Sequence, residues 1–129
     1  LMHGSLWCWH RSHHEPRRGW FELNDLFAVL FAVPAVALIA IGSNGGPELL
    51  AWAGYGMMAY GVAYFVLHDG LVHRRLPLPK IGTRYVRRLV QAHHLHHSIR
   101  TREDGISFGF LYAPPPKTLR ARLRARRLL

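Results

Sequence analysis

The stretch 26-LFAVLFAVPAVALIAI-41 sets sixteen apolar residues in a row, slightly fewer than the roughly 20 that cross a bilayer as a helix. Pro34 stands in its middle, where a kink is expected and where packed membrane helices tolerate one. The cluster 42-GSNGGP-47 follows, and glycine and proline grouped in this way end regular structure. Residues 49–67 then bring nineteen apolar and aromatic residues, with small ones at Ala51, Ala53, Gly54, Gly56, Ala59, Gly61 and Ala63. Small residues let two helices approach closely. Two apolar runs joined by a tight turn predict a helical hairpin. A chain of 129 residues is one domain by length and has too little left over to cover two such helices on all sides. The fold expected is therefore an all-α integral membrane protein built on a transmembrane helical hairpin.

Charge supports this reading. The net charge is +10 although half of the residues are hydrophobic. All 17 lysines and arginines lie in residues 1–25 or 74–129, and Glu48 is the one charge between Leu26 and Leu67. Basic flanks stay on the cytoplasmic side of a membrane. Both ends of the hairpin are thus expected to face the cytoplasm, with the uncharged turn outside. The single cysteine, Cys8, excludes an internal disulfide and reads as a buried or lipid-facing thiol, a ligand role being the alternative.

Working outward, histidines gather at both ends of the hairpin: His3, then 10-HRSHH-14, then 68-HDGLVH-73, then 93-HHLHH-97. Neutral imidazole is the commonest nitrogen ligand for iron, zinc and copper. In H-x-x-H-H the histidines sit at i, i+3 and i+4, on one face of a helix, so each such helix can aim three imidazoles at one small volume. The pair His68 and His73 is different, since i and i+5 lie about 140° apart on an ideal helix. It calls for a break, which Gly70 could supply, or for two separate metals. Nine histidines exceed the needs of one ion, so His3, His10, His13, His14, His68, His73, His93, His96 and His97 predict a two-metal centre on cytoplasmic-side helices. His94 falls outside the repeat and reads as a surface or supporting residue.

The remaining segments are flanks. Residues 1–25 carry Trp7, Trp9, Trp20 and Phe21 among polar residues, a composition suited to the membrane–water boundary. They read as helical around His10–His14, with Pro16 ending that turn. Asn24 and Asp25 read first as helix N-caps. Residues 83–98 read as a helix after a loop marked by Pro77 and Pro79. The stretch 107-SFGFLY-112 reads as a cover for the metal site, a channel lining or an interfacial anchor. The tail, 117–129, holds five arginines with Leu119 and Leu123 at i, i+4, a basic amphipathic helix expected on an anionic membrane surface. It carries no recognition module, so nucleic-acid binding is set aside.

The series 10-HRSHHEPR-17, 21-FELNDL-26, 68-HDGLVH-73, 93-HHLHH-97 and 107-SFGFLYAP-114 resembles the membrane di-iron hydroxylases and desaturases of the fatty acid hydroxylase superfamily. Within it the chain resembles the bacterial beta-carotene 3-hydroxylase family. That family's pattern begins with a further H-x4-H, of which His3 matches the second member. The partner would fall before Leu1, so a truncated N-terminus lacking an upstream membrane helix is expected. The resemblance implies one di-iron hydroxylase domain over 1–129 in a bacterial inner membrane. It implies two Fe2+ ions on the nine histidines, O2 as co-substrate, and a ferredoxin-type electron donor suited to a basic cytoplasmic face. It also implies hydroxylation at C3 of the beta-ionone ring of a carotenoid drawn from the bilayer. Asn24, Asp25 and Asp69 are then candidates to orient imidazole N–H groups. The alternatives are a sibling acting on fatty acyl or sterol chains, and a non-catalytic membrane metal-binding protein, which zinc would also suit. Oligomeric state is not specified by the sequence.

Overall fold

A computed structural model describes residues 2–15, 19–79, 81–107 and 109–128, and every described helical or turn element is α, 3-10 or π. The expected stop at Pro16 lies outside the described residues. Helix α1 runs Trp7–His14, and a 3-10 turn, Leu23–Asp25, leads into α2, Leu26–Ser43. Helix α3, Glu48–Tyr64, continues into a π-helix, Phe65–Val72. Helix α4, Arg84–His97, and helix α5, Pro116–Ala125, complete the chain.

Helices α2 and α3 form the expected hairpin. Leu23–Ser43 and Glu48–Val72 are long and apolar enough to cross a membrane, and only 11% of each apolar window is buried within the chain. Core helices of a soluble protein would be mostly covered, so these surfaces require an apolar surrounding. Where the two helices touch, small residues face each other: Ala35, Ala51 and Gly54 are buried. A Cβ on Gly54 would lie 2.6 Å from the Ala35 carbonyl oxygen, so a larger residue there would force the helices apart. Gly45 closes the turn at φ 88°, the left-handed conformation that glycine adopts without a Cβ penalty. Gly46 N–H then donates to the Ile41 carbonyl at 3.0 Å.

The His68–His73 segment departs from the expected break. It is a π-helix whose i to i+5 bonds include His73 N–H to the His68 carbonyl at 2.9 Å. The wider turn closes over five residues rather than four, so the two imidazoles come to one side without an interruption. Gly70 serves close approach instead, since a Cβ there would lie 2.7 Å from Leu78 Cδ1. The segment ends at Arg74, at φ 52°.

A small apolar core lies beside the hairpin. Leu89, Ala92, Ile99, Ile106, Ala113, Leu119 and Leu123 form one buried cluster. Helix α4 starts where Thr83 Oγ1 accepts from Val86 N–H at 3.3 Å, and one of its faces carries Leu89, Ala92 and His96 into this core. The apolar face of α5 is given to the same core: Leu119 and Leu123 are fully buried, while the arginines between them stay outside. The protein itself therefore covers the leucines that the sequence assigns to a membrane surface.

Candidate metal centre

Four segments deliver the histidines. His10, His13 and His14 come from α1, His68 and His73 from the π-helix and its end, His93, His96 and His97 from α4, and His3 from the turn before α1. His94 points away and is exposed. The other nine converge, and eight fall into two groups: His3, His10, His14 and His96, and His13, His73, His93 and His97. Within each group the nearest ring nitrogens all lie within 4.8 Å of one another. The ninth, His68, joins the second group by its ring, 4.9 Å from His13 and 4.6 Å from both His73 and His93.

Each H-x-x-H-H is thus divided rather than aimed at one point. On α1 the i, i+4 pair, His10 and His14, serves the first group, and His13 crosses to the second. On α4 the assignment is reversed: His93 and His97 are the pair in the second group, and His96 crosses to the first. A helix advances about 100° per residue, so i and i+4 stay close while i+3 points to the other side of the stripe. The two groups touch where His14 stacks on His97, ring centres 4.5 Å apart.

The Nδ1 atoms are held from behind. In the first group His10 Nδ1–H donates to Asn24 Oδ1 at 2.8 Å, His14 to the Ile99 carbonyl at 3.0 Å, His96 to the Ile106 carbonyl at 2.7 Å and His3 to the Arg102 carbonyl at 3.2 Å. Beside the second group, His13 Nδ1–H donates to Glu22 Oε2 at 2.9 Å and His68 Nδ1–H to Asp69 Oδ1 at 2.7 Å. An acceptor at Nδ1 fixes the proton there and leaves Nε2 with its lone pair. Asn24 and Asp69 thus each accept from one imidazole. Asp25 instead accepts from Glu22 N–H at 2.9 Å and pairs with Arg75. Neither Asn24 nor Asp25 caps α2 with its side chain. The box lies one turn earlier, between Glu22 and Asp25 around the 3-10 turn.

In the second group His73 Nε2 lies 2.6 Å from His93 Nε2. In the first, His10 and His14 both carry their proton on Nδ1, and their Nε2 lone pairs face each other at 3.2 Å. Two acceptors directed at one point repel unless a cation lies between them. His13 Nε2 and His97 Nε2 are buried and have no hydrogen-bond partner among the described residues, a costly state for a polar atom that a metal ion relieves. Burial drives the rings of the two groups toward their neutral, ligating form. His10 and His14 are lowered to about 4, and His13 and His96 to about 3, first by desolvation and then by neighbouring imidazoles or, for His10, partly offset by Asn24. His73, His93 and His97 are lowered further by the same causes. The donor set and its electrostatics fit two divalent transition-metal ions.

A model of the fatty acid hydroxylase family matches residues 1–113. The beta-carotene hydroxylase of Pantoea ananas is 54% identical over 129 residues, covering 98% of this chain and 72% of the relative.

The chain belongs to the fatty acid hydroxylase family, on its beta-carotene hydroxylase branch.

The beta-carotene hydroxylase of Pseudescherichia vulneris is 57% identical over 127 residues, covering 98% of this chain and 72% of the relative. The chloroplastic beta-carotene 3-hydroxylase of Gentiana lutea is 48% identical over 118 residues, covering 88% of this chain and 36% of the relative. No solved structure matches the chain. The family match spans all nine clustered histidines together with residues that motif reading alone leaves without a role. Glu22 holds His13, and Trp7 packs its ring 4.7 Å from His3 and 5.4 Å from His14, so this tryptophan walls the centre rather than anchoring the boundary. Tyr64 stacks on His68 at 4.3 Å, and its hydroxyl reaches His68 Nε2 at 3.4 Å. Phe110 stands edge-on to Tyr64 and Tyr60, so part of the stretch 107–112 covers the centre, while Leu111 and Tyr112 stay exposed. Its Phe108 lies outside the described residues. Cys8 is exposed and belongs to neither histidine group.

Proposed function

We propose that this protein is an O2-dependent, iron-containing carotenoid hydroxylase that places a hydroxyl group on C3 of the beta-ionone ring of beta-carotene. The observation that carries the reading is the pair of four-imidazole groups, each with its ring nitrogens gathered within 4.8 Å, in a chain about half identical to proteins named beta-carotene hydroxylases. In this reading His3, His10, His14 and His96 hold one iron, and His13, His73, His93 and His97 hold the other with His68 beside them. Breaking an unactivated C–H bond is beyond acid–base side chains, and iron with O2 supplies the oxidant that does it. The chain's part is to hold, shield and position. Acceptors at Nδ1 keep the proton off Nε2 in His3, His10, His13, His14 and His96. Trp7 shields one group, and Tyr64 with Phe110 shields the other.

Two openings suit two kinds of reactant. A cleft of about 430 Å³, lined by Tyr60, Phe110, Leu111 and Tyr112 among others, opens beside the Tyr64–Phe110 cover. Its aromatic walls, continuous with the exposed apolar surface of α3, suit the ring end of a hydrocarbon arriving from the bilayer. A polar opening of about 350 Å³, lined by Glu22, Arg75, His97 and Arg100 among others, reaches the second group from a different side and suits water and protons. In keeping with the charge distribution, the centre faces the cytoplasm, where Arg84, Arg87, Arg100 and Arg102 offer a basic face to an acidic, ferredoxin-type reductant.

The test is isotopic. Iron-loaded protein in detergent, given beta-carotene, a ferredoxin reducing system and 18O2, is expected to yield product bearing 18O at C3. A product with oxygen from water, or turnover of acyl lipid in place of carotene, would overturn the assignment.

A further inference from the structure

The two histidine groups are backed by different chemistry. Behind the first group stand three main-chain carbonyls and one neutral amide, from Ile99, Ile106, Arg102 and Asn24. Behind the second stand two carboxylates, Glu22 on His13 and Asp69 on His68. Both carboxylates are tied to Arg75. Arg75 grips Asp25 with both prongs of its guanidinium, Nη1 to Oδ1 at 2.6 Å and Nη2 to Oδ2 at 2.8 Å. Asp25 Oδ2 in turn accepts from Glu22 N–H at 2.9 Å and so fixes the backbone that carries Glu22. The same guanidinium lies 3.6 Å from Asp69 Oδ2 and donates to the Trp20 carbonyl at 2.7 Å. Its backbone is tied as well, Arg75 N–H donating to the Asp69 carbonyl at 2.8 Å. The side chains of Arg75, Asp25 and Asp69 are 13, 20 and 11% exposed, so these contacts are largely withdrawn from solvent and weakly screened. A planar fork on a carboxylate sets orientation as well as charge, which a lysine does not reproduce.

We propose that Arg75 is a positioning residue for one metal position only, the one formed by His13, His73, His93 and His97 with His68 at its side. It acts through Asp69 on His68 and through Asp25 and Glu22 on His13, and leaves the other position to its carbonyls. The inference rests on the two-metal reading of the histidine groups.

The experiment is an anaerobic Fe2+ titration of the full chain in detergent, with bound iron counted against a graded series of chelator. Wild type is expected to hold two ions. In Arg75→Met one ion should keep wild-type affinity and the other should weaken about tenfold or more, the scale seen when groups behind a ligand are removed. Arg75→Lys should fall between, because it keeps the charge and loses the fork. Asp25→Asn cuts the same tie without removing the cation and should weaken the same single ion. Asn24→Ala, behind His10, should weaken the other ion instead. Equal weakening of both ions in Arg75→Met and Asp25→Asn, or weakening of neither, would overturn the proposal. A wild-type protein that holds fewer than two ions would overturn the two-metal reading and this inference with it.

Discussion

His13 shows how much one side chain contributes. Its Nδ1–H is engaged by Glu22, its ring lies 4.2 Å from His73, and its buried Nε2 has no hydrogen-bond partner among the described residues. Removing it takes away a proposed ligand and opens the polar side of the second group. His13→Ala should lower hydroxylation by about 100-fold or more, beyond what loss of an outer partner costs, in a product assay. His94→Ala, one position from His93 but exposed, should keep the wild-type rate in the same assay. Protonation gives a second residue-scale test. Folding lowers His10 and His14 to about 4 and His13 and His96 to about 3, against about 6.5 in an unfolded chain. Between those values the unfolded chain binds more protons, so stability falls as pH falls. The metal-free protein should lose thermal stability steadily from about pH 6.5 down to about pH 4, and bound metal should move that loss to lower pH. An apo-protein midpoint that is flat across this range would contradict the burial of neutral imidazoles. At this scale the clustered histidines were legible, because imidazoles repeated at one helical spacing suit metal ligation far better than packing. Glu22, Tyr64 and Trp7 were not, because their roles depend on loops and helix ends that bring them behind or beside a ring distant in sequence.

At the level of elements, one stripe of a helix serves two sites. The i, i+3, i+4 pattern predicts a single face, and α1 and α4 indeed present one. The face is wide enough that its middle histidine on α1 and its matching one on α4 cross to opposite groups. Only the meeting of two such stripes reveals this, so neither helix alone could show it. The π-helix is the clearest case of a local structure invisible in composition. Nothing in 65-FVLHDGLV-72 distinguishes i to i+5 bonding from ordinary helix. Inserting one alanine between Val72 and His73 should carry His73 away from His93 and cost the second metal position. Metal analysis should then read about one ion per chain, with the helix content unchanged. Two ions retained at wild-type affinity would mean that the i, i+5 spacing does not matter. The hairpin, by contrast, was legible almost to its ends, because apolar runs, a glycine-rich turn and small residues at the crossing all act locally.

Across the whole molecule, the hairpin and the histidine helices divide the work. The apolar helices are covered by so little protein that a membrane must complete them, and the small core of α4 and α5 seats the histidine-bearing face of α4 beside them. The tail is the amphipathic helix its leucine spacing predicts, but those leucines pack on α4, since a nearby protein face of matching shape offers burial without leaving the chain. The result is a histidine centre with a charged opening at its second group and an aromatic cleft beside Phe110. Its central consequence is a reaction on a hydrocarbon too apolar for water. The most direct measurement is chromatography of pigments from cells that accumulate beta-carotene and express this protein. Mono- and dihydroxylated beta-carotene are the predicted products, absent in the His13→Ala control. Unchanged beta-carotene, with iron-loaded wild-type protein recovered from the membrane, would contradict the account.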